Sequence, residues 1–280
     1  MSTIERGFVS LPHGQIHFRR AGIEGDRLPL VMIHASPGSS KQLAGLIQAL
    51  AGDRLVLAPD TAGNGDSDPL AVLQPSINDL AMLACEAINR SLDGRFQLYG
   101  SHTGASIAME IAIAHPEQVD ALVLDGIGLY AADAQAEILE RYAREIGPDL
   151  EGTHLMKVWH FCRDQFLFWP YYNRTATGRL PNGLPHADTL HDFVVEVLKA
   201  VRSYHKSYRA AFRHPKRERL PQLTVPTLVA SSPSDMLHEF ADEVAALVPG
   251  AQRATLPTWD DAAYDAKAAD FFRRFLDGSH

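Results

Sequence analysis

One histidine sits between two glycines where a strand pattern gives way to a helix pattern. Residues 96–105 read Phe-Gln-Leu-Tyr-Gly-Ser-His-Thr-Gly-Ala. An apolar run enters Gly100-Ser101-His102-Thr103-Gly104, and an apolar helical run leaves it. Glycines two residues either side of the centre allow a sharp turn that lifts the central side chain clear of the strand end. An imidazole there, with an ordinary pKa of about 6.5, can accept and return a proton near neutrality, which makes His102 a candidate general base. Were Ser101 at the tip instead, Tyr99 and Thr103 would occupy positions that need small residues. Ser101 therefore reads as a helix-cap or backbone-bonding serine.

Alternating short apolar runs and helical patterns must position this turn. Strands are expected at residues 7–11, 15–19, 30–34, 55–58, 96–100 and 121–125, with helices at 42–51, 77–90 and 106–115. Pro12-His13-Gly14 joins the first two strands as a hairpin, and the later ones, separated by helices, should be parallel. From 128 to 219 the sequence is mostly helical and dense in aromatics between Trp159 and Tyr172. A strand at 227–231, a helix at 237–248, a run at 252–256 and a helix at 262–276 follow. The expected organisation is one α/β core, residues 1–127 and 220–280, carrying a helical cap at 128–219.

Two further motifs lie at strand ends: His34-Ala35-Ser36-Pro37-Gly38, and the turn Asp60-Thr61-Ala62-Gly63-Asn64-Gly65-Asp66-Ser67-Asp68. Together with Gly100–Gly104 they resemble, in order, the His-Gly-x-Pro-Gly loop, the Asp-x-x-Gly-x-Gly-x-Ser turn and the nucleophile elbow of the α/β-hydrolase fold. The resemblance covers nearly the whole chain. It implies a mostly parallel eight-stranded α/β sheet, a site beneath the cap, and an oxyanion hole from the backbone N–H groups of Ser36 and Thr103.

The chain departs from that family in its acid–base residues. The elbow carries His102 where serine, cysteine or aspartate is usual. The stretch expected to hold the C-terminal histidine reads Leu256-Pro257-Thr258-Trp259-Asp260-Asp261 and contains none; the nearest is His280. A Ser-His-Asp triad is excluded, and a carboxylate stands where the base would be. An imidazole beside a carboxylate is an oriented base with a raised pKa. Candidate partners for His102 are Asp235 in Ser232-Pro233-Ser234-Asp235, then Asp260, then Asp125. Helix capping is the alternative for Asp235, for Asp260 and especially for Asp261.

His34, Trp159, Phe168 and Trp169 are expected to line the substrate pocket, the aromatics forming an apolar roof over a partly hydrophobic substrate. His154, His160 and His186 lack metal-ligand spacing, and no loop matches a phosphate cradle, so neither metal nor cofactor is expected. The expected activity is hydrolysis of a small ester, lactone or carbonyl-activated C–C bond with His102 as base. A lyase or isomerase using the same histidine, or a ligand-binding protein without activity, is the alternative.

A net charge of -8 and a pI near 5.9 argue against nucleic acid or an anionic membrane as partner. The run His214-Pro215-Lys216-Arg217-Glu218-Arg219 reads as a solvated linker. No stretch approaches the roughly 18 apolar residues of a membrane span and no signal peptide is apparent. With Cys85 and Cys162 read as free thiols, the expectation is a cytoplasmic monomer or homodimer acting on a small molecule.

Overall fold

The computed structural model describes residues 2–181 and 183–278; His280 lies outside them. Its strands are β1 (Glu5–Leu11), β2 (Gly14–Ala21), β3 (Leu30–Ile33), β4 (Val56–Pro59), β5 (Phe96–Ser101), β6 (Val119–Asp125), β7 (Thr227–Ser231) and β8 (Gln252–Thr255). They form one sheet in the order β1-β2-β4-β3-β5-β6-β7-β8. Only the β1–β2 and β2–β4 pairings are antiparallel; β4 through β8 run parallel.

The core helices are α1 (Ala44–Leu50), α2 (Ile77–Asn89), α3 (Thr103–Ala114), α9 (Ala241–Leu247) and α10 (Tyr264–Leu276). Between β6 and β7 lie α4 (Ala132–Arg141), α5 (Thr153–Leu167), α6 (Ala187–Lys199), α7 (Tyr204–Arg213) and the single turn α8 (Lys216–Arg219). Strands β3, β4 and β7 are buried at every residue, the pattern of a parallel sheet covered on both faces. One face packs Leu98, Leu122 and Leu124 against α2 and α3; the other packs Met32, Tyr99 and Val123 against α1 and α10. The inserted helices share a separate aromatic core around Tyr142, Phe161 and Tyr204.

Expected and observed strands agree to within about two residues at most ends. Four helices begin elsewhere than expected. Helix α1 starts at Ala44 rather than 42, after a 3-10 turn over Ser40–Leu43. Helix α3 starts at Thr103 rather than 106, directly after His102. Helix α9 starts at Ala241 rather than 237, because a 3-10 turn over His238–Phe240 precedes it. Helix α10 starts at Tyr264, after a turn in which the Asp261 N–H donates to the Thr258 carbonyl at 3.0 Å.

The junction of β5 and α3 is closely packed. A Cβ on Gly100 would lie 2.3 Å from the Gly104 carbonyl oxygen, and one on Gly104 would lie 2.3 Å from that of Ile33 and 2.5 Å from that of His34. Helix α3 can therefore enter against β3 only with glycine at both positions. The turn is closed at His102, with φ 53° and ψ -109°, the one non-glycine residue with positive φ among those described. Such a conformation costs on the order of 1–3 kcal/mol. Backbone bonds hold it: the His102 N–H donates to the Asp125 carbonyl at 2.9 Å, and the Ala105 N–H donates to the His102 carbonyl at 3.1 Å.

Gly104→Ala should force α3 away from β3 and destabilise the protein by about 1–3 kcal/mol or more, as overpacking does. Urea unfolding followed by circular dichroism checks this. An unchanged midpoint would show that the junction has slack.

Candidate active site

The strained turn presents His102 to a cavity of about 280 Å³ between the sheet and the inserted helices. Its ring keeps 31 % of its surface exposed. Nε2 lies 2.7 Å from Oδ2 of Asp235. An ionised Asp235 can only accept, so Nε2 carries the proton and Nδ1 keeps its lone pair. Nδ1 has no partner among the described residues.

Asp235 is nearly buried, and both its oxygens are engaged. Oδ2 meets His102, while Oδ1 accepts the Leu237 N–H at 2.8 Å. Partnering His102 and capping a turn are thus one arrangement, with one oxygen for each. Burial alone would raise the Asp235 pKa, but the charge and hydrogen bond of His102 and the Leu237 N–H hold it below the ordinary value. Burial likewise opposes a charged His102, but the Asp235 carboxylate, with a smaller contribution from Asp125, raises the imidazole pKa above its usual range.

Gly126, immediately after β6, makes room for this pair. At φ +77°, a Cβ there would lie 2.7 Å from Cδ2 and 2.9 Å from Nε2 of His102, and 3.1 Å from Oδ2 of Asp235. Sequence reasoning did not single it out; the signal available was a glycine directly after an apolar strand whose neighbour supports the elbow. Asp125, the preceding residue, accepts the Tyr99 hydroxyl hydrogen at 2.7 Å. Burial first, then the charge of Asp235, raises its pKa to about 6.

Asp260 is not brought to this cluster. The Trp259 N–H donates to Ser234 Oγ at 3.2 Å, and Asp261 Oδ1 accepts the Ala263 N–H at 2.9 Å. The turn held at both sides leaves Asp260 exposed, with no bond to His102. The residue this turn gives to the cavity is Trp259. Ser101 ends β5, and its neighbour His102 occupies the N-cap position of α3 without a side-chain cap bond.

Ser36 and Thr103 both line the cavity beside His102. As the first N–H of α3, that of Thr103 has no acceptor in a preceding helical turn. The hydroxyls of Ser36 and of Ser106, one turn into α3, are buried without hydrogen-bond partners among the described residues, so polar atoms are available there. His34 lies beneath the cavity rather than in its wall. Its Nε2 accepts the Thr61 N–H at 2.9 Å, so its Nδ1 carries the proton and donates to the Ala35 carbonyl at 2.8 Å. Burial keeps its pKa low, and its work is to anchor the loop that carries Ser36.

Of the three aromatics expected in the wall, Trp169 is there and Trp159 and Phe168 are not. Helix α5 buries Val158, Phe161 and Cys162, which turns Trp159 outward. Phe168 packs under the Arg179 guanidinium, 5.5 Å from its ring centre. The aromatic wall is instead built from Tyr130, Tyr142, Phe166, Tyr208 and Phe212 together with Trp169. Tyr142 meets Trp169, Tyr208 and Phe212 edge-on. Lys216 also lines the cavity and is buried, contrary to the expectation of a solvated linker. Its ammonium donates to the Ala211 carbonyl near the end of α7, which draws the residue inward.

Elsewhere, His17, Asp60 and Asp66 place ligand-type atoms within 4.8 Å of one another. The Asp60 oxygens are already used by His17, Ser40 and the Asp66 N–H, so this cluster fastens the loop after β4. No helix among the described residues is long and apolar enough to cross a membrane.

Comparison with known proteins agrees with this architecture. Proline iminopeptidase from Heyndrickxia coagulans is 31% identical over 123 residues, spanning 42% of this chain and 41% of that protein's length. The enol-lactonase from Burkholderia xenovorans LB400 superposes with a TM-score of 0.70 at 20% identity, covering 97% of this chain and 100% of that one. An esterase from Exiguobacterium antarcticum gives 0.73 at 17% identity, covering 99% and 100%. Residues 29–195, more than half of the chain, match the family model described as alpha/beta hydrolase fold. With its strand order and its elbow between β5 and α3, the chain belongs to the alpha/beta hydrolase fold family.

Proposed function

We propose that the protein is a hydrolase-type enzyme in which His102, oriented by Asp235, is the general base for attack on a small, partly hydrophobic carbonyl substrate. The 2.7 Å bond between Nε2 and Asp235, which leaves Nδ1 unpartnered at a cavity wall, carries this reading. In the hydrolysis of an ester or lactone, Nδ1 takes a proton from water as the water oxygen bonds to the carbonyl carbon. The carbonyl π electrons move onto oxygen, where the N–H groups of Ser36 and Thr103 receive the negative charge. Collapse of the intermediate expels the leaving alkoxide, which takes the proton back from His102. Asp235 keeps the ring in the tautomer this needs and stabilises the imidazolium in between.

A base placed in this way contributes about 10²–10⁴ in rate, and a backbone donor about 10²–10³. The same dyad would serve a C–C bond activated by a carbonyl. The aromatic wall favours an apolar body, while the unpartnered hydroxyls of Ser36 and Ser106 favour a substrate rich in oxygen. The helices of residues 128–219 form the cap that closes the cavity. The likeness to an enol-lactonase and an esterase supports the choice of ester and lactone substrates.

On a panel of p-nitrophenyl esters and γ- and δ-lactones, His102→Ala should lower kcat/KM by about 10²–10⁴ while circular dichroism stays native. Retained turnover would remove the histidine from the mechanism. The working form is neutral His102, and Asp235 raises its pKa, so activity should rise with pH through an inflection above the ordinary histidine value. Asp235→Asn removes the charge and should move that inflection to lower pH while reducing kcat. An inflection that stays in place would exclude Asp235 as the partner.

Gly126→Ala tests the packing of the pair. The added methyl must push the ring or the carboxylate aside, so kcat should fall by about 10²-fold, the cost of a displacement near 1 Å. A crystal structure of the variant should show the Nε2–Oδ2 bond broken or lengthened. Full activity with the bond intact would contradict the account.

A further inference from the structure

Two residues able to carry positive charge, His102 and Lys216, line the cavity, with no aspartate or glutamate among its described lining residues. This imbalance stands out in a chain whose net charge is -8. Lys216 is buried and forms no ion pair among the described residues. Its ammonium has three N–H donors, and the Ala211 carbonyl is their one acceptor among the described residues. Burial acts on it with no charged neighbour to offset it, pushing its pKa down to about 8. The aliphatic stem needs no such charge for packing, and a buried ammonium is costly without an anion.

Lys216 also lines a small adjoining cavity of about 110 Å³ with Tyr130, Phe212, His214, Arg217 and one carboxylate, Glu218. The lysine thus stands where the site cavity borders a second pocket that has two further basic side chains. Those two are already engaged. His214 pairs with Glu110 at 2.9 Å, and Arg217 pairs with Glu243 at 2.9 Å. Lys216 is the basic residue of this group that forms no ion pair among the described residues, with Glu218 included.

We propose that the substrate is a small organic acid whose carboxylate pairs with Lys216 while its carbonyl lies at His102. This deepens the reading of the same cavity as a carbonyl-processing site and rests on it. The apolar body of the acid lies against the aromatic wall between the two groups. Lys216 selects and positions; it is not the proton carrier. A neutral substrate of the same shape leaves the ammonium unpaired and binds more weakly.

The experiment compares 3-phenylpropionate with 3-phenylpropionamide, titrated calorimetrically at pH 7 into wild type, Lys216→Met, Lys216→Arg and His102→Ala. Wild type should bind the carboxylate about tenfold or more tightly than the amide, as expected of a charge-assisted hydrogen bond. Lys216→Met keeps the stem volume and should bind the two equally, while Lys216→Arg should retain part of the preference. Comparable amide binding by wild type and Lys216→Met shows that the methionine variant keeps a folded pocket. His102→Ala should keep the full preference, so binding is read apart from turnover. Equal binding of the two probes by wild type, binding of neither, or a preference unchanged in Lys216→Met overturns the proposal. Inactivity on esters and lactones that also carry a carboxylate, with the preference present, would instead fail the base reading and leave the carboxylate subsite standing.

Discussion

Where β5 passes into α3 the backbone is so close to itself and to β3 that Gly100 and Gly104 leave no space for a Cβ. The bend is therefore concentrated at His102, whose positive φ aims its side chain up from the sheet. The Asp125 carbonyl fixes the His102 N–H, so the end of β6 sets the height of the elbow. Gly126, one residue on, leaves the ring its space, and the loop after β7 delivers Asp235 to the far side of that ring. Three neighbouring parallel strands thus converge on one imidazole. Their adjacency in the sheet, kept although the inserted helices separate β6 from β7 in the chain, brings the parts together.

The charges around that imidazole are unequal in kind. Asp235 is held ionised by His102 and the Leu237 N–H. Asp125, buried beneath and bonded to Tyr99, is pushed the other way. The proton affinities of these two carboxylates are driven apart, Asp235's lowered by His102 and the Leu237 N–H and Asp125's raised by burial and by the charge of Asp235, a separation that accompanies acid–base sites. Above them the cavity wall is aromatic, with unpartnered hydroxyls near His102 and an ammonium at Lys216. On the proposed reading, the proton chemistry and the recognition of a charged group occupy different parts of one small cavity.

Much of this was legible in the sequence where the signal is local. The strands appear because short apolar runs end at turn residues, and the elbow because two glycines bracket one side chain. Asp235 could be named because its loop after the strand at 227–231 resembles the one that carries the acid in the α/β-hydrolase fold. Asp260 was misjudged because its direction depends on Ser234 and Asp261 holding the turn from either side. Trp159 and Phe168 were misplaced because aromatic density does not say which helix face is inward. Lys216 looked solvated among Arg217, Glu218 and Arg219; only the packing of α8 against the Ala211 carbonyl turns it inward. Tyr130, Tyr142 and Tyr208 come from three segments, and nothing in the spacing of the chain shows that they share a wall.

The central claim is that His102 is an imidazole whose Nε2–H is held by Asp235 and whose Nδ1 lone pair faces the cavity. Nitrogen-15 chemical shifts of the His102 ring, followed through a pH titration of the folded protein, report tautomer and pKa together. The account predicts a protonated Nε2, an unprotonated Nδ1 at high pH, and a titration midpoint above that of an ordinary histidine, falling in Asp235→Asn. A ring found as the Nδ1–H tautomer, or one that titrates at or below the ordinary value in the presence of Asp235, would contradict it.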